Sequence, residues 1–175
     1  MNTQVKELSS DYRIEKALVG YEMAITLWTY EGELIWSKFN AMLVANSIVL
    51  AIIGILVGSN PSTSPMLLVG MPIVGLVLCL QWFLLTERGF STYVYWILSA
   101  RELEEQYLAP PIKTVSRGGS FADGEKIGTT INGKIKSYRM GWLSRQLKAK
   151  WISYLVIAVF AVMYTLFLVS ALRIA

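Results

Sequence analysis

Three stretches of this chain run long enough without a charged residue to cross a lipid bilayer, and they constrain the fold more than any other feature. They are Ala41–Gly58 (AMLVANSIVLAIIGILVG), Met66–Leu85 (MLLVGMPIVGLVLCLQWFLL) and Trp151–Leu172 (WISYLVIAVFAVMYTLFLVSAL). A helix needs about 20 predominantly apolar residues to span a hydrocarbon core about 30 Å thick. In lipid every backbone polar group must be satisfied within the segment, so such runs are helices. The expected fold class is an all-α integral membrane protein with three transmembrane helices.

Orientation follows from the basic residues. Lys6, Arg13, Lys16 and Lys38 precede the first run, eleven Lys and Arg lie between the second and third, and only Arg173 follows the third. Cytosolic loops carry the excess of Lys and Arg, so the N-terminus and the middle segment belong in the cytosol. Trp36, Trp82 and Trp151 sit at the cytosolic ends of the three runs. An amphipathic indole prefers the headgroup level, which gives the same orientation. The first residues lack a basic start followed by a short apolar core and a small-residue cleavage site, so an uncleaved chain is expected. A multi-pass protein of the inner membrane results, its N-terminus cytosolic and its C-terminus outside.

The first two runs are joined by SNPSTSP, Ser59–Pro65, an uncharged turn with two prolines. Such a turn predicts an antiparallel hairpin. Both helices should continue past the membrane. Ile14, Leu18, Tyr21, Ile25, Trp28, Ile35 and Phe39 recur at spacings of three and four, with Gly32 in the gap. Tyr93, Trp96, Ala100, Leu103 and Tyr107 do the same beyond the second run, until Pro110–Pro111. Two such seams on antiparallel helices predict a coiled-coil-like cytosolic stalk. Glu15, Glu22, Glu31, Glu33, Glu102, Glu104 and Glu105 disfavour the alternative of seams lying on an anionic leaflet.

The expected organisation is then 1–40 as a cytosolic amphipathic helix, 41–58 as the first span, 59–65 as an outer turn and 66–85 as the second span. A helical extension over 86–109 follows, then a cytosolic loop over 110–136, a basic amphipathic segment over 137–150, the third span over 151–172 and an outer C-terminus at 173–175. Within the loop, Asn132–Gly133 can turn a short hairpin between Glu125–Ile131 and Lys134–Tyr138. Trp142, Leu143, Leu147 and Trp151 share a helical face ahead of the third span, with Lys148 and Lys150 placed for phosphate headgroups.

Little in the sequence speaks for chemistry. There is no histidine, which removes His-based triads, His–metal sites and His pH switches. The lone Cys79 lies in the second apolar run and reads as a packing residue. Gly119–Lys126 (GSFADGEK) fails as a phosphate loop: its lysine is one position late, no Ser or Thr follows, and no buried strand leads in. A flexible loop is the better reading. Asp123 and Glu125 lack the partners that hydrolysis requires. No enzyme, cofactor or metal is expected. Nucleic acid is an unlikely partner, because the basic residues lie beside membrane and lipid is the more economical match.

What remains are features of helix contact. Ser47, Ala51, Gly54 and Gly58 form a small-residue stripe in the first span. Such a stripe lets helices approach closely in lipid, either in a second subunit or in the second span of the same chain, where Gly70 and Gly75 around Pro72 offer a receiving surface. Asn46, Gln81 and Thr165 are the most polar side chains within the spans, and serve either as interhelical hydrogen-bonding groups or as a polar lining. No ionisable acid or base lies within a span, which argues against ion-coupled transport.

The stretch W-S-K-F-N-A-M-L-V-A-N-S-I, beginning at Trp36 and containing Asn46, resembles the start of the first span in small bacterial inner-membrane proteins with a long charged helix leading into W-x-x-F-N. Small multi-span proteins of this broad type occur beside bacterial antiviral-defence systems, where they act as membrane-disrupting effectors. The resemblance implies a homo-oligomeric membrane effector or channel-like assembly with a sensing stalk. The alternative is an anchor or adaptor that recruits a cytosolic protein partner to the membrane. Three uncharged spans cannot enclose a water path alone, so a pore would require several copies.

Overall fold

The three apolar runs lie on three helices. The computed structural model describes residues 2–58, 65–110, 112–146 and 148–174. Helix α1 (Asn2–Gly58) carries the first run at its C-terminal end, α2 (Pro65–Leu103) opens with the second, and α5 (Ala149–Ile174) holds the third. All three are long and apolar enough to cross a membrane. Most of the expected outer turn, residues 59–64, lies outside the described residues, as does Ala175. The antiparallel sense of α1 and α2 is set by their contacts. Phe39 meets Trp82 with ring centroids 5.1 Å apart, and Ile35 reaches back to the position of Gly89.

Two compact units form, and α1 and α2 contribute to both. The apolar unit comprises 33–90 and 149–175. On α1 its inward residues are Ile35, Phe39, Met42, Asn46, Val49 and Ile53, a three–four progression that keeps one face on a neighbouring helix. They pack with Cys79 and Trp82 of α2 and with Ile157 and Tyr164 of α5. Trp82 departs from expectation. It is only 1% exposed and packs between Phe39 and Phe160, whereas Trp36 and Trp151 are open. Its face of α2 turns toward the other two helices, so the largest side chain at that end fills the core and not the headgroup layer. Gly89 completes the close approach, since a Cβ there would stand 2.9 Å from Ile35.

The polar unit comprises 1–32 and 91–148. Here the expected seam is correct at Tyr21, Ile25 and Trp28, which are at least half-buried, but wrong at Ile14 and Leu18, which are exposed. Ala17 and Ala24 take the buried places. Small residues let the backbones of α1 and α2 close in, with Ala24 near Ala100 and a Cβ at Gly20 only 3.4 Å from Leu103. The bulkier Ile14 and Leu18 point outward from that contact. Trp28 and Tyr93 continue the pairing with centroids 5.7 Å apart.

After Leu103 the helix widens into a π-helical turn, Glu104–Leu108, closed by the Ala109 N–H donating to the Glu104 carbonyl at 2.7 Å. The wider turn moves the inward face by one position. Glu104 and Leu108 become buried, and Tyr107, expected in the seam, is 43% exposed.

The stretch expected as a loop is largely ordered into regular elements. Helix α3 (Thr114–Ala122) follows, then an antiparallel hairpin of β1 (Ile127–Ile131) and β2 (Lys134–Tyr138). Asn132 (φ 52°) and Gly133 (φ 73°) supply the two left-handed residues of the turn. Helix α3 arises from tertiary contact, because its Gly- and Ser-containing sequence is a poor helix former alone. Gly119–Lys126 is therefore the end of α3 and a turn, not a flexible loop. Gly124 (φ 90°) is held there by Arg139, whose Nε donates to its carbonyl at 2.9 Å, and by the packed side chain of Arg145. The basic segment is not one helix into the third span. Helix α4 (Trp142–Gln146) ends before Lys148, and α5 starts at Ala149. Trp142 and Leu143 are exposed, and Leu147 lies outside the described residues.

Candidate assembly surface and intramembrane polar cluster

Asn46 is the one polar side chain in the first span that faces inward, and hydrocarbon offers no water to satisfy it. It is fully buried and meets its needs with three partners. Its Nδ2 donates to the Met42 carbonyl at 2.8 Å. The Tyr164 hydroxyl, from α5, lies 2.9 Å from the Asn46 carbonyl and 3.1 Å from its Oδ1. Its single hydrogen is shared between those two acceptors. The Cys79 thiol of α2 lies 3.6 Å from the same Oδ1. All three spans thus converge on one side chain.

Tyr164 reaches Asn46 only because α2 presents no side chain in its path. A Cβ at Gly75 would stand 2.4 Å from Cε1 and 2.5 Å from Cζ of the Tyr164 ring. Sequence reasoning placed Gly75 opposite the α1 stripe, but it receives α5 instead. Among the described residues nothing lies within 4 Å of the Cβ position of Gly70. Gln81 and Thr165 are exposed and do not join Asn46; the Thr165 hydroxyl donates to the Ala161 carbonyl at 2.8 Å. Cys79 is buried and packs against this cluster.

The small-residue stripe faces away from the cluster. Ser47, Ala51, Gly54 and Gly58 are all exposed, and among the described residues no atom from outside the local helix backbone lies within 4 Å of the Cβ positions of Gly54 and Gly58. The possibility of a contact with the second span of the same chain is thereby corrected. The inward face of α1 is already taken by Asn46, Val49 and Ile53, so the stripe lies around the helix from it. Ser47 directs its hydroxyl to the Leu43 carbonyl at 2.8 Å, leaving a shallow, apolar track. Ile48, Ile55, Val77, Leu80, Leu155 and Leu166 are among the large side chains exposed on the three spans.

Of the two lysines placed for headgroups, Lys150 is engaged within the unit. Its Nζ lies 2.9 Å from the Glu87 carboxylate, which also accepts a hydrogen bond from the Tyr154 hydroxyl. Lys148 is exposed. The Glu87–Lys150–Tyr154 group ties the start of α5 to α2, and the sequence gives no local sign of it, since Glu87 and Lys150 are far apart in the chain.

The model of a family described as the octameric membrane protein family (8xMP) matches residues 19–173. No curated protein and no solved structure matches the chain.

Proposed function

This chain belongs to the octameric membrane protein family, and from that premise we propose that it is a non-enzymatic inner-membrane protein that works as a homo-octamer, a channel-like effector whose cytosolic part senses a ligand or partner. The observation that carries the reading is the uncovered stripe of Ser47, Ala51, Gly54 and Gly58. In lipid, apolar surface gains nothing from meeting other apolar surface, so a small-residue track is useful where another helix can approach closely. A second copy supplies that helix. Gln81 supports the same reading: an exposed amide within a span leaves donors unmet in hydrocarbon, and a neighbouring subunit or an enclosed water path would satisfy them.

Gly54→Ile is expected to weaken self-association at least about tenfold, or about 1.4 kcal/mol. It should leave the subunit fold intact, because among the described residues nothing lies within 4 Å of a Cβ at that position. Native mass measurement in detergent would show octamer giving way to smaller species. Dye release from vesicles holding the wild-type protein, lost with Gly54→Ile, supports the channel-like reading. An intact octamer that releases no dye would leave the anchor or adaptor reading in its place. An octamer unaffected by Gly54→Ile would remove the stripe as the interface.

The orientation is tested separately. A reporter fused to the C-terminus should be active outside the cytosol, and one inserted beside Ser120 should be active within it. The reverse pattern would invert the arrangement drawn from the basic residues.

A further inference from the structure

Helix α3 and the β1–β2 hairpin enclose an open groove of about 610 Å3 that neither the assembly surface nor the polar cluster uses. We propose that this groove binds a small molecule that joins a phosphate group to a planar or apolar body. Thr114, Arg117 and Phe121 fall on one face of α3 at helical spacing and line one wall. Thr129 of β1 and Tyr138 of β2 line the other, with Lys113 at the start of α3. Pairing of Thr129 with Lys136 places that lysine on the same face of the hairpin as Thr129 and Tyr138.

The chemistry of the lining selects the ligand. Lys113 and Arg117 are cationic, and among the described residues no carboxylate lines the groove. Among the described residues neither cation is paired with an acid. Arg117 is held in place by donating from Nη2 to the Gly128 carbonyl, which fixes one edge of its guanidinium and leaves other N–H groups for an anion. Phosphate oxygens accept such bonds in the fork geometry that arginine presents. The threonine hydroxyls add donors, while Phe121 and Tyr138 supply aromatic surface for a planar group. The volume matches that of ordinary small-molecule sites. The N-terminus of α3 does not serve the ligand, because Glu104 already accepts from its Val115 and Ser116 N–H groups.

A soluble phosphorylated metabolite and a phospholipid headgroup share this chemistry, and the experiment separates them. The full chain in uncharged detergent is titrated with AMP, with dihexanoyl phosphatidate and with adenosine, and binding is followed calorimetrically. AMP or dihexanoyl phosphatidate should bind, and adenosine should bind at least about tenfold more weakly than AMP where AMP is the ligand. AMP binding assigns the groove to a soluble ligand; binding of phosphatidate alone assigns it to a lipid headgroup. Lys113→Gln and Arg117→Gln should each weaken binding by about tenfold, while Lys148→Gln, at an exposed cation outside the groove, should not. Because Arg117 also supports the hairpin, Lys113→Gln, which removes no bond to Gly128, guards against a folding defect. Failure of both phosphorylated probes to bind, or equal losses in Lys113→Gln and Lys148→Gln, would overturn the proposal. The inference does not depend on the octamer, and dye release plays no part in its test.

Discussion

Gly75→Leu is expected to destabilise the apolar unit by about 3 kcal/mol, through overpacking of about 1–3 kcal/mol and the loss of interhelical hydrogen bonds worth about 1–2 kcal/mol in lipid. The position has no room for even a Cβ, which would stand within 2.6 Å of three atoms of the Tyr164 ring. Any larger side chain must push that ring away from α2. The Tyr164 hydroxyl then leaves the Asn46 carbonyl and Oδ1, now 2.9 and 3.1 Å away, and both oxygens face hydrocarbon with less compensation. Unfolding in mixed micelles, followed by tryptophan fluorescence, would measure the loss. Gly70→Leu is the internal control, since among the described residues nothing lies within 4 Å of its Cβ position, and its effect should be small. Truncating the ring should relieve the clash, so Gly75→Ala should cost less in a Tyr164→Leu background than in the wild type. Equal costs in the two backgrounds would show that Gly75 is not made necessary by Tyr164.

Gly54 is expected to behave in the opposite way, and the contrast would separate fold from assembly. Both glycines lie within apolar runs and look alike in the sequence. Only the arrangement of the three helices distinguishes them: one meets an aromatic ring, and the other meets nothing among the described residues. Gly75→Leu should therefore lower subunit stability. Gly54→Ile should lower association while leaving subunit stability unchanged.

The spans, the pairing of α1 with α2 and the hairpin turn were legible because each rests on local information. Uncharged length gives a span, three–four spacing gives a helix face, and Asn132–Gly133 gives a turn. Asn46 was legible as a polar group needing partners, but its partner Tyr164 was not. Spacing fixes which residues share a face of α5, yet not how α5 is rotated against α1 and α2 after the long intervening segment. Trp82 was misplaced for a related reason. An indole near the end of a span suits both the interface and a core, and burial is decided by the neighbouring helices. The seam was misread at Ile14 and Leu18 because large apolar residues were preferred to Ala17 and Ala24, whereas close helix contact favours the small ones. Helix α3 was not legible as a helix at all, since its first turn is capped by a residue outside it.

That residue is Glu104, and Glu104→Gln is expected to release α3 at a cost of about 3 kcal/mol, the range for buried hydrogen bonds to a charged group. The carboxylate is fully buried. Its Oε1 accepts from the Tyr21 hydroxyl and the Val115 N–H, each at 2.8 Å, and its Oε2 accepts from the Ser116 N–H at 2.8 Å. No Lys or Arg is paired with it among the described residues, so donors alone stabilise the charge. These bonds cap the first turn of α3, where N–H groups have no partner within the helix. They also join α3 to α1 through Tyr21. Glutamine keeps the shape but turns one acceptor into an NH2 donor, which would face a donor at Tyr21, Val115 or Ser116. Faster hydrogen exchange should appear at residues 115–122, with the β1–β2 turn following where α3 supports it. Tyr21→Phe removes only one of the three donors and should cost about 1 kcal/mol. The three–four progression from Ala100 leads to Leu103 and Tyr107, and only the π-helical turn brings Glu104 inward. In the sequence Glu104 stands out only as one of several acids that disfavour an anionic leaflet, beside Glu102 and Glu105. Unchanged exchange at Val115 and Ser116 in Glu104→Gln would mean that α3 holds without its cap, and would detach the ordering of this segment from the α1–α2 pair.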